Sequence, residues 1–230
     1  MNTREDKFSS SMVQTPPSGI RKFFEMLIGH DDVISLSVGE PDFPTPWCIR
    51  EEAFYHLEKG HTSYTSNWGL LELREEISKY MQKYNMHYNP QKEILITVGA
   101  SEGVDASLRA ILNPGDEIIV CQPCYVNYVP LARLCEVNVV PVDTSVNGFY
   151  PTAQQIENAL TPKTKAVMIC SPNNPTGTMI PKEELEKIAE IVKKHQLWVI
   201  SDEIYCELAY DEAEHVSIGS FPGMKDYTII

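Results

Sequence analysis

Two short stretches hold most of the residues in this chain whose types and spacing could do chemistry. The first is S-P-N-N-P-T-G, Ser171 to Gly177, and the second is S-D-E-I-Y, Ser201 to Tyr205. An apolar run, Ala166 to Cys170, leads into the first, and another, Leu197 to Ser201, leads into the second. Pro181 to His195, between them, has helical spacing. Strand, loop, helix and strand in this order read as a right-handed crossover unit of a parallel sheet. Ligands of such sheets sit at the carboxyl ends of strands, where Asn174 and Asp202 both fall. A carboxylate there can hold a protonated ring nitrogen. An amide and a phenol, Asn174 and Tyr205, can bind an oxygen on the same ring. By residue type alone, Asp202 is equally a loop cap and N-N-P-T-G a tight turn.

A third stretch offers a place for an anion. Ile94 to Val98 is a β-branched, apolar run and is expected to be a strand; G-A-S-E-G, Gly99 to Gly103, follows it, and Val104 to Leu112 continues as a helix. A glycine turn opening a helix presents unpaired N–H groups and the positive end of the helix dipole. The turn is neither a Walker loop nor G-x-G-x-x-G. Many α/β proteins have such a turn with no ligand, so the turn alone assigns none.

Taken together, S-P-N-N-P-T-G and S-D-E-I-Y with a helix between them resemble the class I/II aminotransferases, the fold-type I pyridoxal-phosphate enzymes. The resemblance extends from about Ser18 to Ile230 and implies pyridoxal 5'-phosphate as cofactor. It implies Asp202 as the partner of the ring nitrogen, with Tyr205 and Asn174 donating to the ring oxygen. The phosphate role passes to Ala100, Ser101 and Glu102 through backbone N–H groups and the Ser101 hydroxyl, with the Glu102 carboxylate expected to turn away. Tyr125, in Q-P-C-Y-V-N-Y, takes the place of the aromatic residue stacked on the ring. Tyr64, in H-T-S-Y-T-S-N-W-G, matches a tyrosine that reaches the cofactor phosphate of the partner subunit in a homodimer. Gly39, in G-E-P-D-F, matches a glycine beside the substrate carboxylate. By residue type alone, Tyr64 is an exposed loop tyrosine, Tyr125 a packed loop tyrosine and Gly39 a turn glycine.

The implied activity moves an amino group between an amino acid and a 2-oxo acid. A pyridoxal-phosphate C–S β-lyase of the same fold and a non-catalytic aminotransferase-like domain are the alternatives. G-E-P-D-F favours the aminotransferase, and an acidic chain with no basic N-terminal domain speaks against the last. Family members are far longer, and their Schiff-base lysine follows the strand that begins here at Tyr227. That lysine is therefore expected beyond Ile230, no catalytic lysine within the chain, and Lys225 on the wrong side of the strand. The chain is expected to be an N-terminal fragment, inactive by itself.

The elements that must position these residues follow from periodicity. From Ile94 onward, strands alternate with helices, which predicts an α/β fold. The expected architecture is a three-layer α/β/α sandwich on a mainly parallel sheet, its C-terminal portion missing. Residues 1–45 are expected to form an N-terminal arm and part of a small domain, and 46–230 the large cofactor-binding domain, truncated. Strands are expected at Glu117–Cys121, Val137–Val142 and from Tyr227, and Gln122–Tyr128 as a loop. Helices are expected at Ser18–Ile28, Pro46–Lys59 and Leu70–Tyr84, the last with a core stripe of Leu70, Leu73, Ile77 and Tyr80 or Met81. A short strand at Ile34 runs into the loop that holds Gly39. Thr152 and Gln155 predict a capping box that opens a helix to Leu160.

Composition narrows the partners. The 230 residues carry a formal charge of −13 with a pI near 4.9, which disfavours nucleic acid and anionic membranes. No apolar run approaches membrane-spanning length, the first residues have no apolar signal core, and a cytoplasmic location is expected. The six cysteines are expected as free thiols. Cys121 and Cys124 form a lone C-x-x-C with Pro123 inside it and no second ligand pair, and no metal site is expected.

Overall fold

The computed structural model describes residues 7–17, 39 and 43–230. The helix expected at Ser18–Ile28, the strand at Ile34, and Glu40, Pro41 and Asp42 of the G-E-P-D-F segment lie outside these residues. The chain divides into two compact units, one of residues 1–16 with 71–230 and one of residues 17–70. In the second unit, helix α2, Trp47–Glu58, has no buried residue. A short helix α1, Ser10–Val13, belongs to the first unit.

The first unit is built on a parallel sheet of β1 (Glu117–Gln122), β2 (Asn138–Asp143), β3 (Thr164–Cys170), β4 (Trp198–Asp202) and β5 (Thr228–Ile229). Their order is β2-β1-β3-β4-β5, and every neighbouring pair is parallel. The central strand β3 has Ala166 to Cys170 buried without interruption, as a strand covered on both faces must. Because side chains alternate, the two faces build separate cores. Ile119, Val167, Ile169 and Val199 pack with helices α6 (Ala153–Ala159) and α7 (Lys182–His195). Ile118, Val120, Ala166, Met168, Cys170 and Ile200 pack with α4 (Ala100–Ile111) and α5 (Tyr128–Leu134). Helices on both faces of a parallel sheet are the expected three layers.

Local chemistry explains the layer formed by α6 and α7. The Thr152 hydroxyl accepts from the Gln155 N–H at 3.2 Å, and the Gln155 side-chain Oε1 accepts from the Thr152 N–H at 2.9 Å. This is the predicted capping box. Helix α7 buries Leu185, Ile188, Ala189, Ile191 and Val192, and each large member contributes about 1.5–3 kcal/mol relative to exposure. Its first turn holds Glu183 and Glu184 and its last Lys193, Lys194 and His195, matching the dipole. Glu184 also accepts from the Ala153 N–H at 3.1 Å, tying the two helices together.

Three expectations are corrected. Ile94–Val98 is not a strand, since no strand among the described residues pairs with it. Local bonds use two of its polar groups instead: the Gly99 N–H donates to the Thr97 carbonyl at 2.9 Å, and the Val98 N–H donates to the Glu102 carboxylate. Helix α3, Leu71–Met81, does not bury the expected stripe. Its buried residue is Arg74, while Leu73 and Tyr80 stay 46% and 41% exposed. Polar contacts fasten it instead, with Arg74 Nη1 donating to the Pro90 carbonyl at 2.5 Å and Ser78 Oγ to the Tyr88 carbonyl at 2.6 Å. Finally, Tyr128 opens helix α5 rather than ending a loop. Pro130 falls in its first turn, where no intrahelical N–H is needed.

All six cysteines are free. Burial, and then the charge of Cys124, pushes the Cys121 thiol up to about 12, while Cys124 and Cys170 rise to about 11, both chiefly through burial. Protonated thiols are poor nucleophiles. In mildly alkaline buffer an aromatic disulfide reagent should therefore modify exposed Cys48 first. Cys121, Cys124 and Cys170 should react only on unfolding. Rapid modification of Cys124 in the folded protein would contradict this.

Candidate active site

The parallel register brings three loops to one edge. Cys170 pairs with Asp202, and Val120 with Met168. The loops after β1, β3 and β4 therefore begin side by side, and they contain Tyr125, Asn174, Asp202 and Tyr205.

The loop after β3 separates its two asparagines into different tasks. Asn173 holds the loop together, its amide donating to the Pro123 carbonyl at 3.2 Å and to Thr176 Oγ1 at 2.8 Å. Its backbone N–H donates to the Thr178 carbonyl at 2.9 Å, and its carbonyl accepts from the Gly177 N–H at 2.8 Å. The turn closes at Gly177 with φ +72°, a left-handed value that favours glycine. Asn174 points elsewhere, and its amide donates to the Tyr205 hydroxyl oxygen at 3.3 Å. The Tyr205 O–H is thereby left to donate outward.

Asp202 ends β4. The Ser171 N–H donates to its carbonyl at 3.2 Å, which stitches the two loops together. Its Oδ1 accepts from the Ile204 N–H at 3.2 Å, and its Oδ2 accepts from the Tyr128 hydroxyl at 2.5 Å. An ionised carboxylate has about four acceptor positions, so both oxygens can take a further donor. Tyr128 is a site residue that sequence reasoning does not single out. It lies in the same aromatic segment as Tyr125, but only the folded chain shows its hydroxyl reaching β4. The ring of Tyr125 stands edge-on to that of Tyr128, with centroids 5.5 Å apart and planes at 78°, and its hydroxyl accepts from the Asn127 amide at 3.0 Å.

Burial, then the neighbouring Cys170 and Asp202, raises the Tyr128 phenol well above the tyrosine range. Tyr128→Phe should therefore leave the alkaline titration of the other phenols of the folded protein unchanged, because this phenol stays protonated. It should also cost about 1–3 kcal/mol, since Asp202 loses its side-chain donor in a part-buried place. Denaturant unfolding of the two proteins measures that difference, and equal midpoints would show that the bond contributes nothing.

Helix α4 begins at Ala100, after Gly99 with φ +78°. No side chain caps it, so the N–H groups of Ala100, Ser101 and Glu102 face outward from the helix end. The Glu102 carboxylate folds back to the Val98 N–H. Val104 and Leu108, one and two turns further on, seat this helix on the core beneath Tyr128 and Ile200.

Another carboxylate fixes the turn after β4 from outside. Glu207 accepts from the Tyr80 hydroxyl at 2.6 Å, the Tyr84 hydroxyl at 2.7 Å and Lys83 Nζ at 2.7 Å. Lys83 first, then Tyr80 and Tyr84, hold its carboxyl down to about 2.

Tyr64 and Gly39 belong to the other compact unit. Tyr64 is fully exposed there, and a Cβ on Gly39 would meet nothing within 4 Å. Lys225 lies in the turn before β5 and pairs with Glu93 at 2.9 Å. Because β5 runs parallel to β4, that turn is at the amino edge, opposite Asp202.

The donor set at the carboxyl edge suits a pyridine ring carrying a phosphate. It offers a carboxylate with spare acceptor capacity, a phenol and an amide side by side, and an aromatic ring; the start of α4, which has no side-chain cap, is a further place for an anion. Comparisons with known proteins give the family. The model of the family "Aminotransferase class I and II" matches residues 31–230. The "Putative aminotransferase YugH" of Bacillus subtilis strain 168 is 51% identical over 96% of this chain and 58% of that protein. An aspartate aminotransferase of Pyrococcus abyssi is 43% identical over 93% of this chain and 55% of its own length. The solved aspartate aminotransferase from Thermus thermophilus with maleate superposes with a TM-score of 0.89 at 36% identity, over 96% of this chain and 58% of that one. The chain thus spans a little over half the length of these three relatives. It belongs to the class I and II aminotransferases, a family of pyridoxal-phosphate-dependent enzymes with the fold-type I architecture.

Proposed function

We propose that the protein is an aminotransferase that moves an amino group between an amino acid and a 2-oxo acid. In this reading the chain supplies the part that holds the cofactor ring and phosphate. The observation that carries the reading is Asp202 at the carboxyl end of β4, with the Tyr205–Asn174 pair and the Tyr125–Tyr128 pair beside it. Pyridoxal phosphate supplies an electron sink for the bond that breaks at the α-carbon of the amino acid.

The chain's own residues would serve that sink. Asp202 accepts a hydrogen bond from the protonated ring nitrogen and keeps the proton there by its charge. The Tyr205 hydroxyl and the Asn174 amide donate to the ring oxygen. The N–H groups of Ala100, Ser101 and Glu102, with the Ser101 hydroxyl, hold the phosphate. Tyr125 packs on the ring, adding about 0.5–1.5 kcal/mol beyond area burial. Gly39 leaves room beside the substrate carboxylate, and Tyr64 serves the site of the partner in a cytoplasmic homodimer. The covalent amine comes from a lysine beyond Ile230. Residues 1–45 belong with a small domain and 46–230 with the large one.

The test is turnover by the complete protein with pyridoxal phosphate and a panel of amino acids and 2-oxo acids. Amino exchange between a pair supports the reading. Release of a thiol, ammonia and an oxo acid from a sulfur amino acid, with no exchange, would favour the C–S lyase. Cofactor binding with neither reaction would favour a non-catalytic domain.

A further inference from the structure

The residue after Asp202 carries a second buried network on the opposite side of the strand end. Side chains of successive extended residues leave on opposite sides. Asp202 turns toward Tyr128, and Glu203 turns toward the chain that returns to β5. The Glu203 side chain is 7% exposed and that of His215 2%. Glu203 Oε1 accepts from the Ser201 hydroxyl at 2.8 Å and the Ser217 hydroxyl at 2.7 Å. Its Oε2 lies 2.9 Å from His215 Nε2. The Glu203 carbonyl also accepts from the Cys206 N–H at 3.0 Å, so the turn after β4 closes on this residue.

A buried carboxylate is costly unless its oxygens are occupied. Here three donors from two chain segments converge on it, one of them from β4 itself. The Tyr84 ring packs edge-on against His215, with centroids 5.4 Å apart, and the Tyr84 hydroxyl bonds Glu207 at the far end of the same turn. Asp202 and Tyr205 therefore lie on a turn that is clamped at Glu203 from inside and at Glu207 from outside. The inside clamp has the fewer alternatives, because water cannot replace its donors.

We propose that Glu203, held by His215, Ser201 and Ser217, is the positioning residue that aims Asp202 at the cofactor's ring nitrogen. This rests on the reading of Asp202 given above. Glu203 touches neither cofactor nor substrate in this proposal. It fixes the backbone from which Asp202 projects, so its loss acts on the ring nitrogen bond and spares the phosphate site at Ala100 to Glu102.

The experiment measures binding of pyridoxal phosphate and of its analogue with carbon in place of the ring nitrogen, using the complete protein. The wild type should prefer the natural cofactor by about tenfold or more, as one charge-assisted hydrogen bond would give. Glu203→Leu, close in size but without acceptors, should bring the two affinities together while leaving the analogue's affinity unchanged. Glu203→Gln keeps an oxygen for both hydroxyls and should restore the preference. Ser217→Ala removes one donor and leaves the charge, so a smaller loss of preference is expected even if Glu203→Leu does not fold. Wild-type preference in Glu203→Leu or in Ser217→Ala overturns the proposal. Equal weakening of both ligands does so too, because it marks a general structural role. A wild type with no preference refutes the Asp202 assignment itself, and this inference with it.

Discussion

Replacing Asp202 with alanine should slow transamination by the complete protein by orders of magnitude, while pyridoxal phosphate still binds through its phosphate. Asp202 is a carboxylate at the carboxyl edge of the sheet, the proposed partner of the ring nitrogen. Two donors, Ile204 N–H and Tyr128 O–H, already orient it at 3.2 and 2.5 Å. Alanine removes both the orientation and the charge. The ring then has no anion to keep its nitrogen protonated, and an unprotonated ring is a poor acceptor for the electron pair released at the α-carbon. In the proposed reading the phosphate is held by another element, the N-terminus of α4, so that binding should survive. Asp202→Asn separates shape from charge. Its amide oxygen can still accept from Tyr128 or Ile204, so the loop should keep its form, yet turnover should fall nearly as far as in the alanine variant. Turnover near wild type in Asp202→Ala would remove Asp202 from this role. Wild-type turnover in Asp202→Asn alone would show that orientation, not charge, is what matters.

Asp202 and Asn174 are legible in the amino-acid sequence for a physical reason. Each follows an apolar run that must be a buried strand, and a crossover connection places both at the same edge. The same logic locates β1 to β4, and the T-x-x-Q capping box locates the start of α6. Local chemistry is sufficient in each of these cases. It fails where pairing or packing depends on distant residues. Ile94–Val98 has the composition of a strand, yet a strand needs a ladder; no neighbouring strand pairs with it among the described residues, and its Val98 N–H and Thr97 carbonyl bond locally instead. The stripe on α3 has helical spacing, but Arg74 and Ser78 bind distant carbonyls while Leu73 remains accessible. Tyr128 and Glu203 escape a reading of the sequence for the same reason. Tyr128 meets Asp202 across 74 residues, and His215 meets Glu203 across 12, and no spacing rule connects either pair.

Leu108→Ala should cost about 2–5 kcal/mol, the range for deleting a buried leucine side chain, a large part of a typical domain stability of about 5–15 kcal/mol. Leu108 is 1% exposed and lies in the core beneath α4 with Val104, Leu112, Ile118, Val120 and Met168. Val104, Leu108 and Leu112 recur every four residues, so they form one stripe, and Leu108 is its centre. Removing it opens a cavity under the C-terminal half of the helix. Where α4 tilts to close that cavity, its N-terminal end, which carries Ala100, Ser101 and Glu102, shifts with it. Stability and anion binding should therefore fall together. The adjacent residue supplies the control. The Arg109 side chain is 56% exposed and pairs with Asp105 at 2.9 Å, four residues earlier in the helix. Such a pair contributes about 0.3–0.5 kcal/mol, so Arg109→Ala should leave both properties nearly unchanged. Urea unfolding and phosphate binding of the two variants decide the matter. If Leu108→Ala loses stability but binds phosphate as well as the wild type, α4 is not held in place by this stripe, and the anion site owes its geometry to the turn at Gly99 alone.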